Sequence, residues 1–277
     1  MLSTRPYLSL IQSAALETGI RIEPIEPDVL YRLSYDGEVW VMYGVDPGLN
    51  DSLGFQLAKY KSLTYAVLAD AGLPAVPHHF LPNPDSERGN PRVYETAEQW
   101  LHRYGPPLVV KPDDGAQGRL VTRVWDAEQL RSTLEHMFVN VRHVAVSPYR
   151  PAEREYRIVV LDGQAKLQFA KQRPQGEWRH NLSLGAKPAS VEPELTPMLH
   201  DLAVRSAAAL GLAFCSVDVL NTAEAGPQVL EVNGTVYLSE YMKHSPAYRE
   251  AVFRLFTDVF RSKIRRIRQR CGEPHQD

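Results

Sequence analysis

Asp218, Glu231 and Asn233 are the residues of this chain best placed by type and spacing to do chemistry. They sit inside two short apolar runs, Phe214-Cys-Ser-Val-Asp-Val-Leu220 and Val229-Leu-Glu-Val-Asn-Gly234. Strand side chains alternate between faces, so Ser216, Asp218 and Leu220 share one face while Val217 and Val219 take the other. On the second run Glu231 and Asn233 share a face, and Leu230 and Val232 oppose them. The turn-rich stretch Asn221-Thr-Ala-Glu-Ala-Gly-Pro227 suits a hairpin connection. Pairing the two runs gathers three oxygen-bearing side chains on one face. Asp and Asn are poor strand formers, and a lone carboxylate is costly to bury. A hard cation removes that cost, and Mg²⁺ favours one or two carboxylates together with phosphate oxygens. A hairpin with a solvated polar face fits the same stretch.

Two further groupings could handle anions. Lys111 ends the Leu108-Val-Val run and is followed by Asp113-Asp-Gly-Ala-Gln-Gly118. A glycine-bearing turn between strands can expose a nest of backbone N–H groups to phosphate, with a lysine to neutralise it. The spacing is not that of a Walker loop, and a hairpin with a snorkelling lysine is the plainer alternative. Lys171, Arg173, Arg179 and Asn181 form the second grouping. Lys171 and Arg179 flank the loop Pro174-Gln-Gly-Glu177, so a returning strand could aim both at one anion. Charged surface hairpins are commoner than phosphate clamps.

These side chains need elements to position them. Helical spacing predicts helices over 5–18, 57–71, 96–104, 127–138 and 196–210, and a long last helix opened by Ser245-Pro246. Thr196-Pro197 reads as an N-cap followed by proline at the first helical position. Strands are predicted over 21–25, 29–34 and 38–43, with Asp36-Gly37 as a hairpin turn. More follow over 108–112, 120–124, 144–149, 155–161 and 164–171, before the two runs with the carboxylates. The loop 82–91 is polar and expected to be mobile.

Five motifs now stand in order: Pro112-Asp-Asp-Gly-Ala-Gln-Gly, Glu155-Tyr-Arg, Pro174-Gln-Gly-Glu-Trp-Arg-His-Asn-Leu, Ser216-Val-Asp and Leu230-Glu-Val-Asn. In this order they resemble the ATP-grasp carboxylate–amine ligases, most of all bacterial glutathione synthetase and the ribosomal-protein glutamate ligases. Lys61 with its helix, and Leu49-Asn-Asp-Ser before it, resemble the ligase module of cyanophycin synthetases. The resemblance covers roughly residues 45 to 240, and the five motifs in register are far more specific than any one alone.

The resemblance implies an α/β protein of α+β subdomains: an ATP-grasp fold with a reduced N-terminal domain. The expected divisions are a small domain over 1–55, a lid subdomain over 56–147 and a C-terminal subdomain with the metal site over 148–277. ATP and two Mg²⁺, with Mn²⁺ as a substitute, are the implied cofactors. Lys61 and Lys111 would contact the ATP phosphates, and Asp113, Gly115, Gln117 and Gly118 would belong to a mobile loop closing over them. Ser147 and Tyr149 would flank the adenine, Glu155 would hold the ribose, and Asp218, Glu231 and Asn233 would bind the metals. Lys171, Arg179 and Asn181 would stabilise the transferred phosphoryl group and an acyl phosphate. The implied activity joins a carboxylate to an amine with ATP hydrolysed to ADP and phosphate, on an amino acid or peptide-like metabolite. The alternatives are a protein-borne or carrier-bound substrate, and a non-catalytic nucleotide-binding scaffold. Two departures matter. Ser147 stands where many relatives carry Glu or Gln, and Gly234-Thr-Val-Tyr-Leu-Ser-Glu240 replaces a small residue followed by Ser-Pro. Substrate identity therefore does not transfer.

Composition sets the outer bounds. The chain has 277 residues, 44% hydrophobic and 23% charged, enough for two or three cores. A net charge of -2 gives no bulk attraction to nucleic acid or membrane. The two cysteines, Cys215 and Cys271, make no disulfide framework. No apolar run approaches the roughly 18 residues of a membrane span, and no leader pattern opens the chain, so a cytoplasmic protein is expected. Its partners are small carboxylate and amine substrates. The short opening domain leaves a homo-oligomer open. The basic stretch 261–270 reads as a solvated or packing helix, His78-His79 as a poor metal pair, Trp100 and Trp178 as packing residues, and Cys215 as a buried small hydrophobe.

Overall fold

A computed structural model describes residues 3–87, 89–115 and 118–270. Helix α1 (Pro6–Glu17) precedes an antiparallel sheet of β1 (Arg21–Glu26), β2 (Leu30–Tyr35) and β3 (Glu38–Tyr43). Helices α2 (Ser52–Lys59) and α3 (Lys61–Asp70) follow. Next come β4 (His79–Pro82), α4 (Val93–Tyr104), β5 (Leu108–Pro112), β6 (Thr122–Val124), α5 (Ala127–Phe138) and β7 (His143–Pro148). These strands form a four-stranded antiparallel sheet ordered β4-β7-β5-β6. The remainder comprises β8 (Arg154–Leu161), β9 (Gln164–Gln172), β10 (Lys187–Ala189), α6 (Thr196–Ala209), β11 (Phe214–Thr222), β12 (Gly226–Asn233), α7 (Ser239–Met242) and α8 (Pro246–Arg270). Its strands make a second large antiparallel sheet ordered β10-β9-β8-β11-β12.

Three cores follow from the apolar faces. Helices α4 and α5 cover one face of the four-stranded sheet, burying Leu108, Val110, Val144 and Val146 with Leu130 and Leu134. Helix α6 covers one face of the five-stranded sheet through Leu199, Ala203 and Ala207 against Ile158, Val217 and Val219. The opposite face of that sheet is shared. Val159, Leu161, Phe169 and Phe214 pack under α1, α8 and the N-terminal sheet. The other end of this face, with Glu155, Lys171 and Asp218, is left for polar side chains and looks across a cleft to β5 and β7.

Several sequence expectations need correction. The helix over 57–71 is two helices. Tyr60 is extended (φ -106, ψ 120), and the new helix starts where Lys61 N–H donates to the Asp113 carbonyl at 3.1 Å. Asp113 then caps α3 from the turn that follows β5, accepting from Ser62 N (2.8 Å) and Ser62 Oγ (2.6 Å). No local pattern encodes a cap supplied by the chain 51 residues on. Thr196 is not an N-cap; it lies in the first turn of α6, with its hydroxyl donating to the Glu192 carbonyl. The strand expected from Leu120 begins at Thr122, because Leu120 takes a left-handed conformation (φ 54). On β12 a bulge breaks the strict alternation: Asp218 pairs with Glu231, but Val219 pairs with Val229. The extra residue, Leu230, therefore lines the cleft beside Glu231 instead of opposing it.

Asn50 ties the carboxylate strands in place. Its Oδ1 accepts from Ala213 N and Phe214 N at 2.9 Å each, and its Nδ2 donates to the Phe214 and Gly234 carbonyls. One side chain thus joins the start of β11 to the end of β12.

Candidate active site

The cleft between the two larger sheets holds a cavity that opens to solvent. One end is mainly apolar, with Val76, Val109, Val121, Leu220 and Leu230 beside Ser147, Pro148, Tyr149 and Trp178. The other end is charged, with Lys61, Lys111, Glu155, Lys171, Arg179, Asp218 and Glu231. This polarity matches a flat heteroaromatic base at one end and a polyanion at the other.

Lys61 leads α3 into the cavity. Its Nζ donates to the Gly115 carbonyl at 2.6 Å and the Asp113 carbonyl at 3.3 Å, and lies 4.0 Å from Glu231 Oε2. Lys111 comes from the fully buried strand β5. Burial, reinforced by the positive charge of Lys61, pulls its ammonium down to about 8. His78 lies near the same two lysines, and burial followed by the Lys111 charge keeps it neutral, well below its usual range. The resemblance assigns Lys111 to the phosphates; on that reading affinity for ATP is expected to be full while Lys111 is cationic, below about pH 8. Above it, apparent affinity should weaken by up to about tenfold per pH unit. ATP titrations between pH 6.5 and 9.5 check this, and Lys111→Arg should flatten the profile. A profile identical in both proteins would remove Lys111 from phosphate binding.

The floor of the charged end is a buried ionic cluster. Asp218 and Glu231 face each other across the β11–β12 ladder, next to the Ser216–Asn233 pair. Arg157 clamps Asp218 through Nε (2.8 Å) and Nη2 (2.6 Å), and Lys171 Nζ lies 3.1 Å away. Burial opposes ionisation of Asp218, but Arg157 and Lys171 more than offset it and hold the carboxyl below its usual range. Lys171 also donates to Glu155, and His180 Nδ1 lies 3.9 Å from that carboxylate. Asn233 donates to Glu231 Oε1 at 3.2 Å.

The loop after β9 closes the far side. Glu177 accepts from Arg179 Nε and Nη2 and from the backbone N–H groups of Trp178 and Arg179. These bonds, led by that from the Arg179 side chain, take its carboxyl down to about 2. Arg179 Nη1 donates to the Gly118 carbonyl at 3.3 Å. Gly118 has a left-handed φ of 70, which favours glycine, and a Cβ there would push aside the Asn181 amide, whose Oδ1 would lie at 2.9 Å.

Most of the sequence-derived residues therefore meet around one cleft. Asp113 does not; its carboxylate caps α3 behind Lys61 and is fully buried. Asn233 reaches the cavity only through Glu231. Gln117 lies outside the described residues. Sequence reasoning passed over Arg157, although it stands two residues from Glu155 and so shares its strand face. It also assigned Trp178 to packing, and this indole lines the cavity.

Two α+β units clasping such a cleft define the ATP-grasp class. Among solved structures, D-alanine–D-alanine ligase from Bacillus anthracis complexed with ATP superposes with a TM-score of 0.56 at 20% identity, covering 77% of this chain and 71% of that one. D-cycloserine synthetase DcsG gives 0.56 at 21%, covering 74% and 71%. These likenesses concern the fold.

The chain belongs to the RimK-like ATP-grasp domain family, whose model matches residues 58–247. It is similar to the glutamate–LysW ligase ArgX of Sulfurisphaera tokodaii, with 27% identity over 226 residues, 79% of this chain and 74% of that protein. A probable alpha-L-glutamate ligase of Xanthomonas oryzae pv. oryzae is 31% identical over 189 residues, 67% of this chain and 60% of that protein. The protein is an ATP-dependent ligase that forms C–N bonds. Among the described residues no helix is long and apolar enough to cross a membrane.

Proposed function

We propose that the protein phosphorylates a carboxylate with ATP and condenses the resulting acyl phosphate with an amine, its substrates being amino acids or peptide-like metabolites. The observation that carries this reading is the bipolar cleft, with an apolar end beside Tyr149 and a charged end holding four cationic side chains and three carboxylates. In the first step a carboxylate oxygen attacks the γ-phosphorus, the bond to the β–γ bridging oxygen breaks, and ADP leaves with that electron pair. In the second, a neutral amine attacks the acyl carbon, phosphate departs, and the nitrogen gives up a proton.

Lys61 and Lys111 bind the phosphates. Arg179, Lys171 and Asn181 meet the charge that spreads over the transferred phosphoryl oxygens. Glu155 faces the ribose, with Ser147 and Tyr149 at the base. Among the described residues no three His, Cys, Asp or Glu side chains gather closely enough to hold a metal unaided. Glu231 and Asn233, with Asp218 beside them, would hold Mg²⁺. Bound there, Mg²⁺ supplies neutralisation of phosphate charge. We also propose three units over 1–55, 56–147 and 148–277, supported by the assignment of one sheet to each. A cytoplasmic location accords with the need for ATP.

Glutamate appears in the names of both relatives and is the first substrate to test. Phosphate release from Mg-ATP should be measured with glutamate and pools of amino acids, dipeptides and small carboxylates, with mass spectrometry of each product. ADP together with a product heavier by one condensation is the expected result. Tight Mg-ATP binding without turnover on any pool would overturn the small-substrate reading and favour a protein-borne substrate. Failure to bind ATP would overturn the enzyme reading.

A further inference from the structure

Arg123 lies on β6 of the four-stranded sheet and has no place in the mechanism above. Its guanidinium nevertheless sits at the centre of an aromatic cluster. It is 4.7 Å from the ring centre of Trp178, 5.0 Å from Tyr149 and 5.3 Å from Trp125. Tyr149 and Trp178 meet edge to face at 5.7 Å. The Nε of Arg123 is buried with no hydrogen-bond partner among the described residues. Its rings are therefore the attachments that hold it. Trp178 belongs to the other sheet, in the loop that follows β9. The contact thus crosses the cleft from wall to wall.

Trp178 is also the immediate neighbour of Arg179, and the Arg179 guanidinium lies 5.9 Å from the same indole. Glu177 binds both backbone N–H groups and the Arg179 fork, which makes 177–179 one stiff unit. Displacing Trp178 must displace Arg179. The four-stranded sheet grips this unit twice: Arg123 holds the indole, and the Gly118 carbonyl accepts from Arg179 Nη1.

We propose that Arg123 is a positioning residue for the ligation reaction. By gripping Trp178 across the cleft, it holds the two sheets closed over the nucleotide and fixes Arg179 where the transferring phosphoryl group passes. The second half of this inference rests on the role proposed for Arg179; the first half does not. An acyl phosphate hydrolyses in contact with water, so a contact that keeps the cleft shut also keeps the reaction coupled.

The test compares wild type, Arg123→Ala and Arg123→Lys. Lysine keeps a cation over the rings, whereas alanine does not. First, release of a fluorescent ATP analogue carrying an N-methylanthraniloyl group is followed after a chase with unlabelled ATP. Release should be about tenfold faster in Arg123→Ala and near wild type in Arg123→Lys. Equal release from all three proteins would overturn the clasp, and this arm needs no ligation substrate. Second, glutamate and hydroxylamine serve as donor and amine probe, and hydroxamate is counted against phosphate released. Arg123→Ala should lower kcat about tenfold and release more than one phosphate per hydroxamate, with Arg123→Lys restoring the ratio. A one-to-one ratio at wild-type kcat in Arg123→Ala would overturn the inference, as would equal losses in both variants. Arg179→Ala, run in parallel, separates the two ideas. If it retains full turnover, the proposed role of Arg179 fails. If it is inactive while Arg123→Ala is unaffected, only the role of Arg123 fails.

Discussion

Replacing Asp218 with alanine is expected to abolish turnover and to remove about 3–5 kcal/mol of stability, the cost of leaving buried charge without its partner. Asp218 is 1% exposed and receives three charged hydrogen-bond donors, two from Arg157 and one from Lys171. Without it Arg157 loses its counter-ion inside the protein, and Lys171 keeps only Glu155. The melting temperature should fall by roughly 10 °C, and Asp218→Asn, which keeps the shape, should lose less. Because the folded state holds the Asp218 carboxyl below its usual range, its contribution is fully present above the unfolded carboxylate pKa. It is lost as pH falls through the depressed folded value. Thermal melts of both variants at neutral and acidic pH check this. An alanine variant that melts with the wild type would show that Arg157 and Lys171 do not depend on Asp218.

Glu231→Ala should cost less stability and do the same to activity. Glu231 occupies the same rung of the ladder, yet its side chain is 27% exposed and its ionic partner, Lys61, is 4.0 Å away. Its removal takes the ionic partner from buried Lys61, whose ammonium keeps the Gly115 and Asp113 carbonyls as acceptors, so the melting temperature should fall less than in Asp218→Ala. Turnover should nevertheless fall about a thousandfold, because the carboxylate best placed to hold Mg²⁺ against the phosphates is lost. Raising the Mg²⁺ concentration should recover part of the rate if the defect is in metal affinity. Undiminished turnover at ordinary Mg²⁺ would remove Glu231 from the metal site.

The contrast between these neighbours shows where sequence reading stops. Alternation along Phe214–Leu220 and Val229–Asn233 was enough to set Asp218 beside Glu231, because strand periodicity is a local property of the backbone. The hairpin at Asp36-Gly37 was legible for the same reason, as were helix α5 and the buried run ending in Lys111. What was hidden depended on partners distant in sequence. The break at Tyr60 comes from Asp113 capping α3. The inward turn of Leu230 comes from a bulge that only pairing with β11 reveals.

By itself, then, the sequence determined the order of the elements, the carboxylate-bearing strand pair and the motifs that place the chain among ATP-grasp ligases. Each depends on residues adjacent in the chain or at a short fixed period. The tertiary structure decided which of those residues face the cleft. It gave Asp113 to the frame and brought Trp178 to the cavity. It set Arg157 and Lys171 on Asp218, and it placed Arg123 of one sheet against the rings of the other. Such assignments require two strands or two sheets to meet, and the geometry of that meeting is a property of packing, which no local pattern carries.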